Sequence, residues 1–162
     1  MALTAKRITE NFKELEDLNN EAFPKEERVS IERMIDLSQT GISDLYGVYD
    51  ENTFVGFFMT MTSATCVYLF YLAICSSLRS HGYGGRTLKL MDDLYQRQIV
   101  LDMEPLDDQA ANYEQRLRRT KFYASHGYRS SGYHLFYWNQ TFDLLCTRAV
   151  SYTHLRAHET LA

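Results

Sequence analysis

The sequence has little of what marks the more specialised protein classes. Only two of its 162 residues are proline, Pro24 and Pro105. No internal repeat or low-complexity linker is present, so neither a solenoid nor a Pro-rich spacer is expected. Three cysteines (Cys66, Cys75, Cys146) are odd in number and scattered, which excludes a disulfide framework and fits a reducing compartment. Their spacing, with His81, is not that of a zinc site, and no metal is expected. No run of about 18 apolar residues occurs, and the N-terminal stretch has no signal-peptide core, so the expectation is a cytoplasmic protein without a membrane partner. Positive charge is not in excess: the formal net charge is −4, which argues against a dedicated nucleic-acid binder.

What is present points to a packed domain. Hydrophobic residues make up 45% and aromatics 14% of the chain, more than a disordered chain carries. A length of 162 residues suits one domain with a real core.

Leu3 to Ile8 alternates loosely as a first strand. Thr9 or Asn11 can cap a helix over 11–23, with Phe12, Leu15 and Ala22 on its buried face and Pro24 ending it. Ser30 opens a second, short helix carrying Ile31, Met34, Ile35 and Leu37. The charged turn Lys25-Glu26-Glu27-Arg28 between them reads as a solvated loop. Segments 44–49, 54–62 and 65–74 read as an antiparallel meander. A helix over 84–96, a strand over 99–103, a helix over 110–125 and a hairpin over 128–146 complete the pattern. A strand meander followed by strand–helix alternation implies an α/β (α+β) domain: a single mixed, mostly antiparallel sheet flanked by helices.

The informative stretch is Leu72-Ala73-Ile74-Cys75-Ser76-Ser77-Leu78-Arg79-Ser80-His81-Gly82-Tyr83-Gly84-Gly85-Arg86-Thr87-Leu88. A buried strand runs into a polar loop, then glycines, then a helix with Leu88, Met91 and Tyr95 on one face. Glycines at a helix mouth let backbone N–H groups approach an anion, and the helix N-terminus adds partial positive charge. The ATPase phosphate loop needs Gly-Lys-Ser/Thr, whereas Gly84-Gly85 is followed here by Arg86-Thr87. The dinucleotide fingerprint needs a third glycine at position 87, which is Thr.

Arg79-x-x-Gly82-x-Gly84 after a strand resembles the acetyl-CoA pyrophosphate loop of the GNAT superfamily of acyl-CoA-dependent N-acetyltransferases. Arg119-Thr120-Lys121-Phe122-Tyr123-Ala124-Ser125-His126-Gly127-Tyr128 is similar to that superfamily's last helix and the turn after it. The resemblance covers residues 3 to 146. Within it, Ala22-Phe23-Pro24-Lys25-Glu26-Glu27-Arg28, Leu101-Asp102-Met103-Glu104-Pro105 and Asn112-Tyr113-Glu114-Gln115-Arg116 look like a bacterial branch known mostly as predicted acetyltransferases.

The resemblance implies an acyl-CoA N-acyltransferase fold and transfer of an acetyl group from acetyl-CoA, the co-substrate, to a primary amine in a ternary complex. Backbone N–H groups of Arg79, Gly82, Tyr83, Gly84 and Gly85 would hold the pyrophosphate. Those near Leu72 and Ile74 would meet the thioester and pantetheine arm. Tyr123 would protonate the departing thiolate; the alternative is a core tyrosine packed beside Phe122. Glu104, or a water it holds, would be the base; the alternative is a strand-end carboxylate paired with an arginine. Asp102, on the other face of that strand by alternation, would not act with it. Many members carry an Asn where this chain has Arg116, and Asn112, one turn earlier, can stand in for it. A covalent route through Cys75 has no adjacent base to support it, and His81 reads as a loop-surface residue.

The expected acceptor is a small-molecule or peptide amine whose identity the sequence leaves open, and the resemblance makes the turn from Lys25 to Arg28, otherwise a solvated loop, a candidate rim for it. A homodimer is compatible with the sequence but not required by it. The alternative functions are a CoA-binding sensor without catalysis and a nucleotide-binding module. The expected domain is 1–148. Residues 149–162, with Val150-Ser151-Tyr152-Thr153-His154-Leu155-Arg156-Ala157-His158-Glu159-Thr160, resemble the in-frame translation of a transposon sequencing adapter and are set aside as a non-native tail.

Overall fold

The computed structural model describes residues 2–147; the adapter-like tail lies outside them. The described residues form seven strands, four α-helices and one 3₁₀ turn, in two compact units that meet in sequence after Gln96.

The first unit holds β1 (Thr4–Arg7), α1 (Lys13–Ala22), α2 (Ile31–Ser38), β2 (Ser43–Asp50), β3 (Thr53–Thr62), β4 (Cys66–Ile74), the 3₁₀ turn (Ser76–Leu78) and α3 (Tyr83–Tyr95). Its strands pair antiparallel in the order β1-β2-β3-β4. Central β3 is buried continuously from Val55 to Thr60. It therefore lacks the alternation of a half-exposed strand, and Val55, Phe57, Phe58 and Thr60 supply the aromatic and β-branched side chains that suit a strand. Leu15, Leu18 and Asn19 on α1, and Ile31, Met34 and Ile35 on α2, are buried at helical spacing. The apolar ones among them make one core cluster with Ile8, Leu45, Phe57, Met59 and Ala73. Each large side chain fully buried there contributes about 1.5–3 kcal/mol of transfer free energy.

The predicted caps divide. Ser30 accepts the Arg33 N–H at the start of α2, as expected. Neither Thr9 nor Asn11 caps α1: Phe12 is the cap residue and makes no side-chain bond. The Asn11 side chain instead accepts its neighbour's N–H and donates to Glu16 and Glu32. A local Asx contact and the carboxylates of two helices outcompete the helix end for it.

On α3, Tyr95 reaches two strands: the Thr60 hydroxyl lies 2.7 Å from its oxygen, and it donates to Asp44 at 2.8 Å. Burial pushes its phenol far above the usual value of 10, against the opposing Thr60 bond and with Asp44 adding to the rise.

Two irregularities shape the sheet near β4. Phe70 is an extra residue, because Met59 faces Tyr71 while Thr60 faces Leu69. Gly56 lies opposite Ile74, at the end of β4, and a Cβ built there would stand 2.3 Å from the Ala73 carbonyl oxygen. Only glycine admits this approach of two backbones, and it fixes where β4 ends and the loop begins.

The second unit holds β5 (Gln98–Met103), α4 (Tyr113–Ser125), β6 (Arg129–Tyr137) and β7 (Gln140–Cys146). β7 pairs antiparallel with both β5 and β6. Trp138 and Asn139, both at positive φ, form the two-residue turn between β6 and β7. The helix expected from Ala110 begins at Tyr113, after a hydrogen-bonded turn from Asp107 to Ala110. Asp102 accepts from Tyr137 (2.7 Å).

Gly56→Ala should lower the unfolding free energy by about 3 kcal/mol, since the new methyl meets a backbone oxygen that cannot turn aside. Urea unfolding followed by circular dichroism reads this directly; a change within 0.5 kcal/mol, taken as about the noise of a surface substitution, would contradict the close approach.

Candidate functional site

In the first unit the candidate residues lie on the chain between β4 and α3. Cys75 N–H donates to Val55 O (2.9 Å), the last rung beyond β4. The chain then tightens: Leu78 N–H bonds Cys75 O (2.9 Å) and Arg79 N–H bonds Ser76 O (3.3 Å). Ser80 takes φ +68° and Gly82 φ +77°. Gly82 is the residue before α3, and a Cβ on it would meet nothing within 4 Å, so glycine is required there by conformation rather than by space.

The first helical bond of α3 is Arg86 N–H to Gly82 O (3.0 Å). Consequently six consecutive N–H groups, from Ser80 to Gly85, have no acceptor among the described residues. Such a run at a helix N-terminus is an anion cradle. The expected donors Gly82, Tyr83, Gly84 and Gly85 belong to it. Arg79 differs: its N–H is held by Ser76, so it brings a solvent-exposed guanidinium to the loop rather than a backbone donor.

The start of α3 is tied down from β2. The Tyr83 hydroxyl donates to Asp50 Oδ2 (2.7 Å), Arg86 Nη1 stands 3.9 Å from the same oxygen, and the Arg86 guanidinium lies over the Tyr83 ring. The bond to Asp50 raises the Tyr83 phenol above its usual value. Leu72 and Ile74 are partly buried, opposite Phe58 and Gly56. Burial pushes the Cys75 thiol up, and its Sγ points to Phe54 O at 3.9 Å. A thiol held in its neutral form is a poor nucleophile, which disfavours the covalent route.

A separate group of candidate residues belongs to the second unit and centres on Glu104, just past β5. Arg116 Nη2 is 2.6 Å from Oε2 and Arg119 Nη1 is 3.6 Å from Oε1. Asn112, the residue before α4, donates to Oε1 (3.4 Å) and accepts from Arg116 Nε (2.7 Å). Arg116 also donates to Pro105 O (3.0 Å). Arg116 thus takes part in a network that binds α4 to the end of β5, and the Asn112 amide is engaged on both sides. The arginine pairing weighed for Glu104 is present.

Tyr123 lies two turns beyond Arg116, its ring 5.1 Å from Phe122 and 5.4 Å from Tyr128. Its hydroxyl has no hydrogen-bond partner among the described residues. Burial raises its phenol above the usual 10, with Arg119 acting in the opposite sense. Its carbonyl receives the N–H groups of His126 (3.1 Å) and Tyr128 (3.0 Å) around Gly127, at φ +88°, a glycine-ended helix stop. Among the described residues no cluster of His, Cys, Asp and Glu could hold a metal, and no helix is long and apolar enough to cross a membrane.

His81 is exposed, as expected of a loop-surface residue, and its Nδ1 lies 2.8 Å from Arg79 O and 3.2 Å from Leu78 O, contacts that the sequence does not signal. The role of Asp50, and which arginine pairs with Glu104, could not be read from the sequence, because the partners are 33 and 12 positions apart (83 − 50 and 116 − 104).

Neither a family model nor a curated protein matches the sequence. Solved structures do match the fold. A protein from Bacteroides thetaiotaomicron assigned to the GNAT acetyltransferases is 23% identical, with a TM-score of 0.79 over 96% of this chain and 94% of its own. An aminoglycoside 6′-N-acetyltransferase complexed with coenzyme A is 19% identical, with a TM-score of 0.65 over 91% and 98%. Naa50 from Arabidopsis thaliana, in complex with the bisubstrate analogue CoA-Ac-MVNAL, is 17% identical, with a TM-score of 0.61 over 91% and 99%. The fold of this chain is that of the GNAT acetyltransferases.

Proposed function

We propose that the chain transfers an acetyl group from acetyl-CoA to a primary amine, within a domain that spans residues 1–148. The observation that carries this is the run of six unpaired N–H groups from Ser80 to Gly85, in a fold whose solved examples include complexes with coenzyme A and with a CoA bisubstrate analogue. The run suits a pyrophosphate, and Arg79 adds charge beside it. The partly buried β4 residues Leu72 and Ile74 would meet the pantetheine arm. Asn112 is proposed at the CoA site only as a holder of Arg116, given that its amide is engaged.

In direct transfer the amine nitrogen attacks the thioester carbonyl, a C–N bond forms, and the C–S bond breaks as the thiolate takes a proton. Tyr123 is the proposed donor: its hydroxyl is unclaimed among the described residues and burial keeps it neutral. Glu104 is the proposed base, acting through a water, because Arg116, Arg119 and Asn112 already engage its oxygens. Among the comparison structures, one protein acts on an aminoglycoside and another holds a peptide-bearing analogue; a small-molecule or peptide amine is proposed for this chain. That occupied carboxylate also favours a second reading, a CoA-binding sensor without transfer.

Calorimetry should show micromolar binding of acetyl-CoA and none of ATP, with Gly82→Val weakening it at least about tenfold through backbone strain at φ +77°. No acetyl-CoA binding by the wild type would remove the reading. Tyr123→Phe should lower kcat about 100-fold with KM little changed. Since a general acid must be protonated and burial raises this phenol, the wild-type alkaline limb of kcat should lie above pH 10; unchanged turnover in the variant would take Tyr123 out of the chemistry. Glu104→Gln should lower kcat about 100-fold if the carboxylate is the base. Unaltered turnover, with a stability loss of about 1–2 kcal/mol, would leave it as the anchor of α4.

A further inference from the structure

His81 sits within the run of free N–H groups but turns its side chain back on the loop. Its Nδ1 faces two carbonyl oxygens, of Arg79 at 2.8 Å and of Leu78 at 3.2 Å. Both are acceptors, so Nδ1 carries the proton and donates a shared bond. A peptide unit is rigid. Fixing the Arg79 carbonyl fixes the orientation of the peptide that carries the Ser80 N–H, the first free donor of the cradle. The Leu78 carbonyl ends the 3₁₀ turn and would otherwise need solvent.

The loop has reason to need such a tie. Ser80 holds φ +68° without being glycine, a conformation that costs about 1–2 kcal/mol. The bond from His81, one residue on, spans this turn and offsets that cost. No residue of the loop from Cys75 to Gly85 other than His81 carries a side chain bonded to the carbonyls of residues 78 or 79.

We propose that His81 is a positioning residue for the CoA pyrophosphate: its Nδ1–H clamps the Leu78 and Arg79 carbonyls, so that the N–H groups from Ser80 onward are presented together. The clamp rests on the acetyl-CoA reading above and deepens it. It acts on cofactor affinity and leaves the chemical step alone, and it depends on a donor at the Nδ1 position rather than on ring charge.

Two substitutions separate that position from the rest of the imidazole. The side-chain amide nitrogen of asparagine falls where Nδ1 does; that of glutamine falls where Nε2 does. Calorimetric titration with CoA should give His81→Asn within about twofold of the wild type. His81→Gln and His81→Ala should each weaken binding about three- to tenfold, the worth of one hydrogen bond. In steady-state assays with any acceptor turned over, the loss should appear in the KM for acetyl-CoA, with kcat preserved. Matched thermal melting curves for the three variants would show that the exposed substitution leaves the fold intact. Equal affinity in all three, or a loss in His81→Asn as large as in His81→Ala, would overturn the clamp while leaving the acetyl-CoA reading in place. Absence of CoA binding in the wild type would overturn that reading and the clamp with it.

Discussion

Backbone hydrogen bonding that stops short organises this molecule. A helix must leave its first N–H groups without internal acceptors. In most folds a side-chain cap or a preceding turn takes them up; before α3 neither does. Gly82 at φ +77° enters the helix with no capping side chain, and the six donors from Ser80 to Gly85 go unanswered among the described residues. The surroundings keep the loop in that state. Gly56 lets β3 and β4 approach closely enough to end β4 at Ile74. The 3₁₀ turn consumes the N–H groups of Leu78 and Arg79, so the free run has a sharp beginning. Asp50 grips Tyr83 from the end of β2.

The second unit treats polarity in the opposite manner. Around Glu104 the polar groups answer one another: two guanidiniums, an amide and the Pro105 carbonyl form a network between the end of β5 and α4. No residue of α4 is fully buried, so this helix gains less from hydrophobic packing than the others. A partly buried, multiply bonded ion pair gives it specific orientation, because breaking one partner strands another charge. Against that background the Tyr123 hydroxyl, raised above its usual value by burial, stands out as a polar group of α4 with no hydrogen-bond partner among the described residues.

Much of the fold could be read from residue patterns. Apolar residues at helical spacing located α2 and α3 within a residue or two, Pro24 and Gly127 bounded their helices, and the aromatic and β-branched runs located β3 and β4. These are local rules, written in residues a few positions apart. Asn11 shows where they stop: a good capping residue by type, it is claimed by Glu16 and by Glu32, 21 positions away. The start of α4 was likewise placed three residues early, since Asp107 spends its backbone carbonyl and carboxylate on a separate turn.

The same division governs the site. Sequence by itself determined that a glycine-bearing loop joins a buried strand to a helix, because strand, turn and helix signals are each carried by adjacent residues. It also determined that a tyrosine precedes the glycine stop of the last helix. Tertiary structure alone decided which groups are free and which are taken. Arg79's N–H is spent and Ser80's is not. Glu104 is held by Arg116, and the exposed His81 turns its ring to two carbonyls of its own loop. Each of these depends on where a partner stands in space, and hydrogen bonds are decided by tenths of an ångström and by angle, which no spacing of letters along a chain records.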